Sequence, residues 1–272
     1  PHTLSKTLAE FPYVNGGLFA ESLPIFSFTA EMRDALLATT HYDWSKISPA
    51  IFGAMFQAVK SRDLRRESGE FYTSEANILK VIRPLFLDDL LDKLHRRWNS
   101  PSLLKQLREE LGTYNFLDPA SGSGNFLLVA YQRLRDLELK IIVLLQVLGY
   151  LESQTGLAGL GNYGLSVHLG QFHAIEYDEW SSEIARVAMW LADHQANLEL
   201  EEITGQSSNR FPLTESADIH HANALKFDWT KACPMNQNTI IMGNPPFVGA
   251  RLQSKEQKEE TKTVWKDVRG VG

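Results

Sequence analysis

A short apolar strand candidate, Asn115-Phe116-Leu117, runs straight into Asp118-Pro119-Ala120-Ser121-Gly122-Ser123-Gly124 and then into a helix candidate from about Asn125 to Gln146. No other segment constrains the fold as much. Glycines at a strand-to-helix turn let backbone N–H groups approach a ligand closely, and the helix N-terminus favours anionic groups. Three familiar ligand loops occupy the same setting, and none fits. Read as G-x-G-x-x-G from Gly122, the last glycine is replaced by Leu127; no Gly-Lys-Ser/Thr follows; and a G-x-S-x-G turn around Ser123 has Ser121 where its first glycine belongs. The alternative is a plain turn, which a run of small residues after an acid disfavours.

The rest of the chain repeats this alternation. A glycine-rich stretch from Gly149 to Gly170 reads as a surface insertion. Phe172–Ile175 is a second strand candidate closing in Glu176-Tyr177-Asp178, and the following helix carries Ile184, Val187, Ala188 and Leu191. Ala217–His220 and Thr239–Met242 are third and fourth strands, the last running into Gly243-Asn244-Pro245-Pro246-Phe247. Strands alternating with helices imply βαβ units and a parallel sheet, so the expected class is α/β. Residues 1–110 read differently, as a mainly helical region before the sheet of residues 111–272. After loops and a turn at Asn15-Gly16, helical spacing appears from Glu31, then at Ile51, Phe52, Met55, Phe56 and Val59, then from Ile78 to Leu94. Pro84 should kink or split that last helix. No internal repeat is present.

Composition narrows the function classes. A net charge of −6, from 27 Lys+Arg against 33 Asp+Glu, argues against a blanket coat for nucleic acid, but leaves room for a DNA enzyme whose basic surface lies elsewhere. The single cysteine, Cys233, rules out a disulfide framework and suits a reducing, cytoplasmic compartment. No apolar run reaches membrane length. The chain begins at Pro1 without a signal-peptide pattern and reads as a piece of a longer protein.

Asn244-Pro245-Pro246-Phe247 is the sharpest chemical feature. Proline removes N–H donors and fixes φ, so the carbonyls around the pair are free and rigidly aimed. The Asn244 side-chain oxygen and the Pro245 carbonyl can converge on an amino group, and Phe247 can stack on a flat base. Glu176, one βα unit after the glycine turn, is a candidate acceptor for ribose hydroxyls; taken alone, it reads as a helix cap or a solvated acid. Other clusters read as structural. Asp136-Leu137-Glu138-Leu139-Lys140 lies mid-helix without the strands of a nuclease site. His220-His221 lacks a partner at metal-ligand spacing, so no metal site is expected. Asp193-His194 reads as a structural hydrogen bond. Lys60, Arg62, Arg65, Arg66, Lys93, Arg96 and Arg97 read as solvated helix faces, with phosphate contact as the alternative. Arg251 to Lys266, mixed in charge, reads as a mobile loop beside the proline motif.

These motifs carry a resemblance. Asp118 to Phe126 resembles the cofactor motif of S-adenosylmethionine-dependent methyltransferases, and Asn244-Pro245-Pro246-Phe247 the catalytic motif of N6-adenine DNA methyltransferases. Arg65-Arg66-Glu67-Ser68-Gly69-Glu70-Phe71-Tyr72-Thr73-Ser74 resembles the segment that closes over the cofactor's methionine end, and this motif order is similar to the gamma group. More narrowly, Phe11–Phe19, Ile184–Gln195 and Gly243–Gly249 are similar to the MmeI-like (type IIL) restriction–modification enzymes. The resemblance implies a Rossmann-like methyltransferase fold with S-adenosyl-L-methionine as cofactor. Phe71, Tyr72 and Thr73 would meet its methionine part. Asp118, Ala120, Ser121, Gly122 and Gly124 would line the sulfonium side, with Asn125 opening the helix. Glu176 would hold the ribose and Tyr177 would flank the adenine ring. Asn223 stands where many relatives carry an Asp that receives the adenine amine, and its amide oxygen accepts the same bond. Asn244, Pro245, Pro246 and Phe247 would seize an adenine flipped out of double-stranded DNA, with no metal and no covalent nucleophile. The resemblance also implies that the last strands, the DNA-reading domain and an upstream nuclease lie outside this chain, that the Thr239–Met242 strand has an open edge, and that this piece binds cofactor but methylates poorly or not at all. Methyltransferases of RNA or of a protein glutamine amide share the proline motif, and a module that kept the fold and lost the reaction is a third reading. Intact Asn244 and an intact glycine loop argue against the last.

Overall fold

The computed structural model describes residues 27–42, 51, 73–150, 165–204, 216–246 and 253–265. The expected turn at Asn15-Gly16, the helical face from Phe52 to Val59 and the basic cluster from Lys60 to Arg66 lie outside them. Helix α1 spans Ala30–Thr39 and is capped by Thr29, whose hydroxyl accepts from Met32 N at 3.2 Å. Helix α2 (Glu75–Ile82) passes into a π-helical turn, Arg83–Leu87, and then into α3 (Asp88–Arg97). Pro84 accounts for this. It has no N–H to donate and its ring crowds the carbonyl one turn back, so the helix widens by one residue instead of continuing in register. Helix α4 (Pro101–Leu111) closes the helical region with Pro101 at its first position.

The sheet follows: β1 (Asn115–Asp118), α5 (Asn125–Val147), β2 (Phe172–Glu176), α6 (Glu179–Thr204), β3 (Asp218–His221), the short α7 (Trp229–Ala232) and β4 (Thr239–Ile241). All neighbours pair in parallel in the order β3-β2-β1-β4. Each strand matches its predicted span to within a residue at either end. The inner strands, β1 and β2, are buried along almost their whole length, which is why both read as continuous apolar runs. β4 pairs only with β1 among the described residues, and Ile241 is exposed.

Alternation along the strands divides the core. Phe116, Phe172, Ala174, Ile219 and Met242 share one cluster with residues of α5 and α6 and with Ile78, Ile82, Phe86, Leu90, Leu104, Leu107 and Leu111 from the preceding helices. Phe116 and Phe172 stack at 4.9 Å, with Phe86 and Tyr131 each 5.2 Å from one of them. Such ring pairs contribute about 0.5–1.5 kcal/mol each beyond their buried area. Leu117 and Ile175 point to the opposite face, against Ala232 and buried Cys233. There burial pushes the thiol up to about 11.

The start of β2 is held by charge. Glu138, buried in α5, accepts from Arg108 Nε at 3.0 Å and from the backbone N–H groups of Ser166 and Val167. Buried Arg135 donates to Val167 O at 3.2 Å and to Asn197 Oδ1 at 2.9 Å. Removing one member of a buried pair of this kind costs about 3–5 kcal/mol, so these contacts fix where the chain re-enters the fold. Asp193 accepts from Tyr131 and Asn197, a structural bond as expected.

One expectation is corrected. Lys255–Trp265 is a helix, α8, not a loop. Ser254 Oγ accepts from Gln257 N while Gln257 Oε1 accepts from Ser254 N, the reciprocal capping box of a helix start. Ser254-x-x-Gln257 is readable in the sequence; the mixed charge that suggested a loop is the solvated side of the helix.

Candidate active site at the carboxyl ends of the strands

Parallel pairing brings the loops after β1, β2, β3 and β4 to one edge of the sheet, where α/β folds hold ligands. After β1 the chain turns sharply. Asp118 is buried and accepts from Ala120 N at 3.1 Å. Gly122 (φ +53°) and Gly124 (φ +81°) take left-handed backbone conformations. A Cβ on Gly124 would also lie 3.0 Å from Ala185 Cβ on α6, so loop and helix meet there at glycine distance. Gly122 N donates to Glu176 Oε2 at 2.7 Å and Asp178 N to Glu176 Oε1 at 2.8 Å, so one buried carboxylate ties the first two loops together. Ser121 Oγ and Asn125 Oδ1 are buried at this loop without a hydrogen-bond partner. Two unpartnered polar atoms beside a glycine turn and a fixed carboxylate fit a polar nucleoside-type cofactor.

The outer loops add a second group. Tyr177 is exposed, and its carbonyl lies 3.0 Å from His221 Nε2. His220 meets Asp218 at 3.2 Å, so both histidines are engaged locally. Asn223 Oδ1 accepts from Leu225 N at 2.9 Å, and its Nδ2 donates to Glu260 of α8 at 3.2 Å. Sequence reasoning missed Glu260, because its place depends on α8 folding back over this loop. Its carboxyl is held below the ordinary range, first by the hydrogen bond from Lys226 at 2.7 Å.

After β4 the chain presents the proline motif. Met242 N donates to Leu117 O, which keeps β4 against β1 to its end. Gly243 packs on Asp118: a Cβ there would lie 2.4 Å from Asp118 Oδ1. Asn244, Pro245 and Pro246 are exposed, and Asn244 Nδ2 donates to Thr73 Oγ1 at 3.1 Å. Sequence expectation put Thr73 at the cofactor; the structure places it on Asn244. Phe71, Tyr72 and Phe247 lie outside the described residues. Ala120 and Ser121 lie in the β1 turn as expected. Away from the site, Lys93 pairs with Asp89 and Glu110, and Arg97 with Glu110, so these cations are spent on neighbouring carboxylates.

A parallel sheet in this order, with a glycine turn after its central strand and a second motif on the adjoining one, defines a Rossmann-like α/β fold of the methyltransferase class. Comparison with known proteins sharpens this. The model of the MmeI DNA-methyltransferase domain matches residues 94–271, and the chain belongs to that family. It is 39% identical over 268 residues to DNA methyltransferase A of Bacillus subtilis (strain 168), covering 96% of this chain and 29% of that protein. A putative type II restriction enzyme and methyltransferase of Methanocaldococcus jannaschii is 22% identical over 226 residues, covering 67% of this chain and 18% of its own length. The solved structure of the type IIL restriction–modification enzyme MmeI in complex with DNA superposes with a TM-score of 0.84 at 41% identity, over 98% of this chain and 35% of that one. The chain therefore spans about a third or less of the relatives it matches. Among the described residues no helix is long and apolar enough to cross a membrane.

Proposed function

We propose that this chain is the catalytic module of a site-specific DNA adenine methyltransferase. It would move a methyl group from S-adenosyl-L-methionine to N6 of an adenine flipped out of double-stranded DNA, within a restriction–modification or phage-defence protein of the bacterial or archaeal cytoplasm. The observation that carries this reading is the junction of β4 with the glycine turn. Asn244-Pro245-Pro246 leaves the sheet directly beside Asp118, with Asn244 Nδ2 engaged by Thr73.

The cofactor, when bound, supplies an electrophilic methyl group on a positively charged sulfur. The chain's own residues do the rest. Asn244 Oδ1 and the Pro245 carbonyl accept the two amine hydrogens and draw the nitrogen lone pair out of the ring system. The same two dipoles offset the positive charge that develops on nitrogen, and they are in place before the reaction starts. Pro246 stiffens the turn and Phe247 stacks on the base, while the amine proton leaves to solvent. Phe71 and Tyr72 are assigned to the methionine end of the cofactor, Glu176 to the ribose, and Tyr177 and Asn223 to the adenine. Residues 1–110 are assigned as a mainly helical region that includes the cofactor-closing motif, and 111–272 as the N-terminal part of the catalytic domain.

The reaction is tested on the full-length protein with unmethylated duplex DNA and S-adenosylmethionine, digested to nucleosides and assayed by mass spectrometry. N6-Methyladenine is expected. Cofactor binding without that product would redirect the reading to an RNA or protein amide substrate, and neither binding nor product to a scaffold.

Asp118 gives this assignment a pH signature. Burial pushes its carboxyl up to about 7, the Ala120 N–H pulls it back in part, and Glu176 adds to the rise. A sulfonium beside the loop favours the ionised carboxylate. Cofactor binding therefore releases a proton below pH 7, and affinity rises with pH up to that point, by at most about tenfold per pH unit for one linked proton. S-Adenosylhomocysteine, whose sulfur is neutral, should show a flatter profile. Calorimetry at pH 5.5 to 8 with both ligands checks this, and equal slopes would remove Asp118 from the sulfonium side.

A further inference from the structure

A primary amide is an acceptor at one end and a donor at the other, and a half-turn about its last bond exchanges them. An exposed asparagine also swings between rotamers unless a neighbour holds it. At Asn244 the neighbour is Thr73, reached across 171 residues of chain. Its Oγ1 accepts from Nδ2, and this leaves Oδ1 as the end that is open to a target.

We propose that Thr73 is a positioning residue for methyl transfer, acting through Asn244. By bonding to the amide across this turn it restrains the Asn244 side chain, which would otherwise swing in solvent, in the place where Oδ1 faces an incoming amine. The inference rests on the function proposed above and deepens it. Thr73 is delivered to this place by packing that has nothing to do with the substrate. It lies two residues before α2, whose Ile78 and Ile82 are buried against the sheet helices and whose Glu75 is ion-paired with Arg133 of α5. Asn244 is thus fixed from two sides, its backbone by the close approach of Gly243 to Asp118 and its amide by Thr73.

Placing Thr73 only at the cofactor predicts different kinetics, and this separates the two roles. In the full-length protein, Thr73→Val and Thr73→Ala both remove the acceptor oxygen, whereas Thr73→Ser keeps it. With saturating S-adenosylmethionine, single-turnover methylation should fall about 10- to 100-fold in the first two variants, the scale on which a misplaced catalytic group acts. Affinity for S-adenosylhomocysteine should stay within about threefold, and Thr73→Ser should recover most of the rate; both expectations follow if only the Oγ1–amide bond is lost. Thr73 is half-buried and outside the apolar core, so the variants should melt close to the wild type. A wild-type rate at saturating cofactor, combined with a raised cofactor KM, would overturn the proposal and return Thr73 to the cofactor. Unchanged rate and KM would overturn it outright. A wild type that forms no N6-methyladenine would instead defeat the functional reading beneath it.

Discussion

Replacing Asn244 by alanine is expected to abolish methyl transfer while cofactor binding and folding survive. What Asn244 touches decides the outcome. It is exposed at the end of β4, and its side-chain amide donates to Thr73, not to the glycine turn. Exposed side chains of this kind change stability little when removed. What is lost is one of the two acceptors aimed at the target amine. Removing a single preorganised dipole of this sort typically costs about 10²–10³ in rate. Here the loss should be at least that large, because the Pro245 carbonyl alone does not define the plane in which the amine must lie. Single-turnover transfer of labelled methyl to duplex DNA gives the rate, and calorimetry with S-adenosylhomocysteine the affinity. Transfer within about tenfold of wild type would remove Asn244 from the reaction, since positioning effects of this kind are larger than that. A parallel loss of cofactor affinity would place it in the cofactor pocket instead.

What the sequence discloses is what local rules govern. Glycines at 122 and 124 stand where the backbone turns left-handed, Pro84 stands where the helix widens, and the apolar pairs Phe116-Leu117 and Ala174-Ile175 divide between the two faces of the sheet. Each follows from the conformational limits of the residue itself or from the period of a strand. The site is legible as a set of motifs but not as an arrangement. That Asp118 lies against Gly243, that Glu176 binds Gly122, and that Thr73 reaches Asn244 all depend on β1 sitting between β2 and β4. Strand order is set by long-range packing, which no short window of sequence contains. Glu260 shows the same limit: its charge is plain to read, but its contact with Asn223 exists only because α8 folds back over the β3 loop. The misreading of α8 was different in kind. Ser254 and Gln257 carry a local start signal, so this helix lies within reach of short-window rules that charge content alone does not express.

Gly243→Ala should be more damaging than Asn244→Ala, and damaging in a different way. The added methyl would sit 2.4 Å from Asp118 Oδ1, closer than any real Cβ contact. Neither partner yields easily. Asp118 is buried and held by Ala120 N, and β4 is held to β1 by the bond from Met242 N to Leu117 O. If Asp118 swings away, the turn that carries Ser121, Gly122 and Gly124 moves with it and the cofactor site is distorted. If β4 retreats, Asn244 leaves its place beside Thr73. Overpacking of this kind costs about 1–3 kcal/mol of stability. The larger effect should be functional, with cofactor affinity and methyl transfer lost together, in contrast to the separation expected for Asn244→Ala. A double-mutant cycle identifies the cause. Asp118→Ala removes the atoms that clash, so Gly243→Ala on that background should cost little further stability, with a coupling of about 1–3 kcal/mol as for residues in direct contact. Denaturant unfolding of the four proteins measures it. Additive costs would mean that the glycine is not needed for its distance from Asp118, and the close packing of the proline motif on the glycine turn would then have no part in holding the site together.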